Sequence, residues 1–273
     1  FDKFLIHDEL NDDLTERHCN FLVDMQKINS EGKNFFLYLQ YSNIHTGIMN
    51  EVLKVYDNFS NEYFSNKEKN KKRYNQLFTN AEDYLEIILK KILSLDLDKN
   101  SIILIMSDHG ISVGEKIGER AYGAFCYDYT LRTFAYFLTP DLPPVEIPQQ
   151  VRTVDFMPTI LDYLNISQDS NYDLIDGESL LPLIKGEHLP EKIAYSETGN
   201  PLQDKKPPKQ PNTKSIRTSQ WKLIFNEYDE TRELYDLVSD PQENKNLSGT
   251  GLEIENTLFK KLKILSNGGV LKE

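Results

Sequence analysis

Ile102-Ile103-Leu104-Ile105-Met106 runs directly into Ser107-Asp108-His109-Gly110. Five uninterrupted apolar residues have the length of a strand. An unbroken run also suits a strand covered on both faces, as in a parallel sheet packed between helices. The polar quartet then lies beyond the strand's carboxyl end, where open α/β sheets form their ligand crevice. Phe35-Phe36-Leu37-Tyr38-Leu39 and Thr133-Phe134-Ala135-Tyr136-Phe137-Leu138 have the same character. Between the first two runs, Tyr84, Ile87, Ile88, Ile92 and Leu95 recur at spacings of three and four, which predicts an amphipathic helix. The order strand, helix, strand predicts a right-handed crossover. A further helix is predicted from Asp155, with Asp155 as its cap and Pro158 in its first turn. Phe156, Ile160, Leu161 and Leu164 would form its buried face.

The style of the chain changes towards its C-terminus. Pro207, Pro208 and Pro211 among lysines predict an exposed loop. Ser215-Ile216-Arg217-Thr218, Trp221-Lys222-Leu223-Ile224-Phe225 and Glu233-Leu234-Tyr235-Asp236-Leu237 then read as short strands joined by turns, with Asp240-Pro241 as a turn signal. A last helix is predicted over roughly 252–265, and Gly268-Gly269 follows it. The predicted fold is α/β: a mainly parallel sheet flanked by helices over residues 1–190, then a small antiparallel sheet with a closing helix over 191–273.

Composition removes several functions. Among 273 residues, 31 Lys and Arg against 43 Asp and Glu leave a net charge of −12, which opposes binding to nucleic acid or an anionic membrane. No apolar run approaches the roughly 18 residues that a membrane span needs, so no transmembrane segment is predicted. Cys19 and Cys126 are the only cysteines, which excludes a disulfide framework and a multi-cysteine zinc site. The chain begins at Phe1 without an initiating Met, so its natural N-terminus is expected upstream, and the compartment stays open.

Asp108 and His109 are the foremost chemical candidates. A carboxylate and an imidazole side by side where the chain leaves a strand can converge on one divalent ion, and Gly110 permits a sharp turn behind them. A capping Asp and a hydrogen-bonded His are the structural alternative. His45 follows the 35–39 run by a few polar residues, and an imidazole there could give a proton to a leaving group. Asp12-Asp13 has no strand before it and reads as an acidic helix start. The basic block 67–73 reads as a solvated loop and helix start. Both cysteines read as small packing residues.

Taken in order, a longer series carries a family likeness: Asn34-Phe35-Phe36-Leu37 leading to His45, Ser107-Asp108-His109-Gly110, Gly118-Glu119 and Tyr127-Asp128-Tyr129-Thr130-Leu131-Arg132. Val154-Asp155-Phe156-Met157-Pro158-Thr159, Asp176-Gly177-Glu178-Ser179-Leu180, Ile216-Arg217-Thr218, Trp221-Lys222-Leu223 and Glu233-Leu234-Tyr235-Asp236-Leu237 continue it. Over roughly 32–247 this resembles the second half of a sulfatase of the alkaline-phosphatase-like superfamily.

The resemblance implies hydrolysis of a sulfate monoester of a small molecule or carbohydrate, with a divalent metal, calcium first and Mg, Mn or Zn as alternatives. It implies Asp108 and His109 as metal ligands and His45 as a residue that meets the sulfate or helps the alcohol leave. The family nucleophile is a hydrated formylglycine made within Cys/Ser-x-Pro-x-Arg. Here only Ser239-Asp240-Pro241 approaches that pattern, with Glu243 where Arg is required. The nucleophile and the first acidic metal pair are therefore expected in a missing N-terminal half, and this chain alone is expected to be inactive. The family's sulfate-contacting lysine has no counterpart near Gly123, so Lys116 and Arg120 are the substitutes for anion binding, and His-x-Pro is replaced by His45-Thr46-Gly47. A phosphoester or phosphonate hydrolase or a phosphoryl transferase of the same superfamily is the alternative. A catalytically silent binding module is another. A portion of a sheet also exposes an edge and apolar surface, so association into oligomers is expected.

Overall fold

The computed structural model describes residues 3–6, 8, 13–48, 61–117, 119, 121–167, 169, 171, 175–199, 210–269 and 271. The chain forms two compact units. One comprises Phe1–Ser107, Ile111–Ala121 and Phe134–Pro140; the other comprises Asp108–Gly110, Tyr122–Thr133 and Asp141–Glu273. The expected boundary at residue 190 lies within the continuous stretch Asp141–Glu273 of the second unit.

In the first unit, α1 (Leu14–Ser30) begins at Asp13, whose carboxylate accepts hydrogen bonds from the Thr15 and Glu16 amides. The acidic helix start read from the sequence is thus a cap. Short helices α2 (Asn43–Gly47) and α3 (Asn61–Ser65) precede α4 (Lys67–Ser94). The basic block forms the first turns of α4. Tyr84, Ile88 and Ile92, four residues apart, bring one face of α4 against Leu22 of α1 and against Leu97. Phe35, Leu37 and Ile103 pack on the same cluster.

β1 (Ile103–Met106) and β2 (Ala135–Leu138) pair antiparallel, with Ile103 opposite Leu138 and Met106 opposite Ala135. This departs from expectation. Residues 35–39 form no ladder, so the predicted parallel crossover is not seen among the described residues. Unbroken apolarity specifies burial and carries no strand direction. Nor are these runs covered on both faces: Phe36 and Tyr38 are 73% and 69% exposed, and Tyr136 is 61% exposed.

The second unit holds α5 (Asp128–Leu131), α6 (Phe156–Tyr163), α7 (Leu181–Ile184) and a four-stranded antiparallel sheet. Its strands are β3 (Ala194–Thr198), β4 (Thr213–Arg217), β5 (Trp221–Asn226) and β6 (Thr231–Asp236), in that spatial order. Alternation along β5 sends Leu223 and Phe225 to one face, where Ile216, Leu234 and the closing helix α8 (Glu253–Ser266) meet them through Leu258 and Leu262. Ile224 joins Tyr127, Tyr235 and Leu237 in a separate cluster. The predicted antiparallel sheet and closing helix are present, with one strand more than expected.

Asp155 differs from its predicted role. Its side chain makes no cap bond to α6. Buried at 3% exposure, it accepts instead from the Arg152 amide and guanidinium and from the Glu178 amide. That pulls the 176–178 turn onto the helix start, where a Cβ on Gly177 would lie 2.3 Å from the Val154 carbonyl oxygen at a φ of +94°. Gly177→Ala is therefore expected to cost about 2–3 kcal/mol through the left-handed backbone and the clash together. Urea denaturation measures it, and an unshifted midpoint would show that the turn is not held against Val154.

Candidate active site

β1 ends at Met106, and the chain enters the second unit at Asp108. Gly110 fixes the path of this segment. Its amide donates to the Thr130 carbonyl at 2.9 Å, and a Cβ would stand 2.3 Å from the Tyr129 carbonyl oxygen. Only glycine allows so close an approach of two backbones.

The close packing orients His109. Its Nδ1 lies 2.8 Å from the Gly110 carbonyl, which can only accept, so Nδ1 is the donor of that bond and the ring is held through it. The Asp108 Oδ1 accepts the His109 amide at 2.9 Å, while Oδ2 stands 3.8 Å from His109 Nε2. A carboxylate oxygen and an imidazole nitrogen at that separation are of a kind that can converge on one cation. Ligand distances of about 2.0–2.6 Å from each atom fit such a gap. Both side chains reach solvent. The Tyr122 ring stands edge-on to His109 at 6.0 Å, and burial pushes the Tyr122 phenol up to about 12, so it stays a neutral wall.

Two donors are fewer than any divalent metal takes, and no group of three or more His, Cys, Asp or Glu gathers among the described residues. A carboxylate with one imidazole suits a divalent cation without choosing among Ca, Mg, Mn and Zn.

The other candidates are placed individually. His45 is exposed on α2, in the first unit. Lys116 is half-buried in the 111–121 segment of that unit. Arg120 and Gly118 lie outside the described residues, as do Asp12 and most of the proline-rich loop at 204–212. Among the described candidates, Asp108 and His109 share the second unit and lie in contact, while His45 and Lys116 belong to the first. Cys126 is buried and Cys19 half-buried, in keeping with packing roles.

Sequence reading missed the neighbours that orient these residues. The Tyr122 ring and the Gly110 carbonyl carry no motif signal. The base beneath them was also unread as a unit: Asp128, Arg217, Lys222 and Glu243. Arg217 grips Asp128 through Nε and Nη2 at 2.9–3.1 Å, and Lys222 Nζ adds a contact at 2.8 Å. Lys222 also pairs with Glu243 at 2.7 Å, and the Asp128 amide donates to Glu243 at 2.7 Å. Burial alone would raise the Asp128 carboxyl, but Lys222 and Arg217 outweigh it and hold it at about 2. Glu243 goes the other way, since burial raises it more than Lys222 lowers it.

A family model for sulfatases matches residues 4–166, more than half of the chain. The chain belongs to the sulfatase family. A second model, described as the C-terminal part of N-sulphoglucosamine sulphohydrolase, matches residues 123–267 of this sulfatase-family chain. Among curated relatives, arylsulfatase K of Canis lupus familiaris is 29% identical over 67% of this chain and 34% of its own length. A Δ4,5-hexuronate-2-O-sulfatase of Bacteroides thetaiotaomicron is 26% identical over 60% of this chain and 34% of its own. The match thus spans about a third of these relatives' length. The yidJ protein of Bacteroides fragilis shares the fold, with a TM-score of 0.72 at 17% identity over 93% of this chain and 57% of that one. The fold is that of the alkaline-phosphatase-like sulfatases.

Proposed function

We propose that this sulfatase-family chain forms part of an enzyme that cleaves a sulfate monoester into an alcohol and sulfate with a divalent cation, calcium first. The Asp108–His109 arrangement carries the reading: a carboxylate oxygen and the imidazole Nε2 stand 3.8 Å apart, with the ring held through Nδ1 by the Gly110 carbonyl. When bound, such a cation would offset negative charge on the sulfuryl oxygens and the nucleophile. Asp108 and His109 hold it. His45, exposed on its short helix, protonates the departing alcohol or contacts the sulfate. Lys116 and Arg120 supply positive charge to the anion.

The nucleophile lies outside these 273 residues, since Cys/Ser-x-Pro-x-Arg occurs nowhere in them. On this reading the remaining metal ligands and the parallel part of the sheet also come from a further portion of the protein, and the 273 residues alone do not turn over. A sulfated carbohydrate is the favoured substrate class, in line with the hexuronate sulfatase among the relatives.

The test compares aryl sulfate with aryl phosphate turnover by the full-length gene product, before and after chelation. Sulfate hydrolysis that EDTA abolishes and calcium restores is the expected result. A preference for phosphate would move the protein to the phosphoester branch of the superfamily. Binding of a sulfated sugar without any turnover would make it a silent binding module.

A further inference from the structure

Four charged side chains meet on the β-sheet: Asp128, Arg217, Lys222 and Glu243. Lys222 is wholly enclosed and Glu243 nearly so. Two positive and two negative groups balance, and none is open enough to receive a substrate. Apolar side chains of similar volume often stabilise such a core as well or better. Charged groups add something apolar packing lacks, namely a fixed orientation. Arg217 holds both carboxylate oxygens of Asp128, Lys222 holds one of them, and Glu243 accepts from the Asp128 amide. The first residue of α5 is thereby held through side chain and main chain alike.

Two residues further along α5, the Thr130 carbonyl accepts the Gly110 amide, and the Tyr129 carbonyl oxygen fills the space beside the Gly110 Cα. Gly110 in turn sets the His109 ring through its own carbonyl. A continuous series of contacts leads from Lys222 and Arg217 through Asp128 and α5 to Gly110 and His109.

We propose that Asp128, Arg217 and Lys222 are positioning residues for the cation-binding pair Asp108–His109, acting through α5. This deepens the functional reading above and rests on it. Partners that orient metal ligands from behind typically change metal affinity by about 10- to 100-fold when removed.

The test uses the full-length protein with calcium alone as probe. Asp128→Asn keeps the shape of the side chain and removes its charge. Calorimetric calcium affinity is expected to fall about 10- to 100-fold, and the Gly110 amide is expected to exchange with deuterium faster than in the parent. Leu262→Ala is the control, because it weakens the same unit from α8, away from α5. It should lower Tm and leave both readouts unmoved. Should Asp128→Asn not fold, Arg217→Gln keeps Lys222 on Asp128 and should give smaller shifts of the same sign. Failure of either readout to move, or equal shifts in the control, overturns the proposal. If the parent binds no calcium, the cation reading itself falls. Faster Gly110 exchange confined to the Asp128 and Arg217 variants would then still support positioning, and unchanged exchange would refute it.

Discussion

Lys222→Met is expected to destabilise the protein by about 3–5 kcal/mol, the usual cost of removing one partner from a buried ion pair. The loss is large because two carboxylates share that ammonium: Asp128 at 2.8 Å and Glu243 at 2.7 Å. The methionine restores the volume and none of the charge. Chemical denaturation at pH 7 gives the figure, and a loss below about 1 kcal/mol, the range of a surface ion pair, would show that the lysine is not enclosed as described.

Acid should narrow the difference from the parent. Asp128 sits at about 2, below the ordinary carboxylate range near about 4, so its ionised form stabilises the fold above that range. That contribution declines as pH falls towards 2. Glu243 has the opposite sign: its raised carboxyl contributes most below its ordinary value, and less as pH rises through the raised one. Without Lys222, both carboxyls can be protonated more readily. The penalty should therefore shrink on the acid side of pH 4.

Asp108→Ala in the full-length protein is expected to lower metal content and turnover together, turnover by about 100- to 1,000-fold, as when one preorganised electrostatic contact is removed from a transition state. Asp108 also accepts the His109 amide, yet its exposed side chain supports no packing, so Tm should change little. Metal analysis and kinetics on the same preparation decide the matter. Full metal occupancy in the variant would end the assignment of Asp108 as a ligand, whatever the rate.

Much of this arrangement is legible before any coordinates. The apolar runs at 102–106 and 133–138 do form strands, and the spacing Tyr84, Ile88, Ile92 does mark a buried helix face. The predicted closing helix and three of the four C-terminal strands lie within two residues of their observed bounds. Strand direction was not legible, since an apolar run is the same read against a parallel or an antiparallel neighbour. β3 escaped notice because Ala194-Tyr195-Ser196-Glu197-Thr198 is a largely polar edge strand without an apolar run to mark it. That Asp108 and His109 follow a strand was readable, since β1 ends at Met106. The residues behind them were not, for a physical reason: 94 positions separate Asp128 from Lys222, and no local pattern spans such a gap. Asp155 fell to a neighbouring competitor, because the Arg152 guanidinium and two amides offered its carboxylate more than the helix end did.

That separation in the chain sets an order of events during synthesis. Asp128 leaves the ribosome long before Lys222, and Glu243 follows the Asp128 amide it accepts by 115 positions. Until those residues emerge, the Asp128 carboxylate has water for company, and α5 has no sheet to rest on. Closing so long a loop is slow compared with forming a helix turn. On the positioning proposed above, the His109 ring, although made in the first half of the chain, takes its orientation only after the C-terminal sheet has emerged, a late step in the life of the nascent protein.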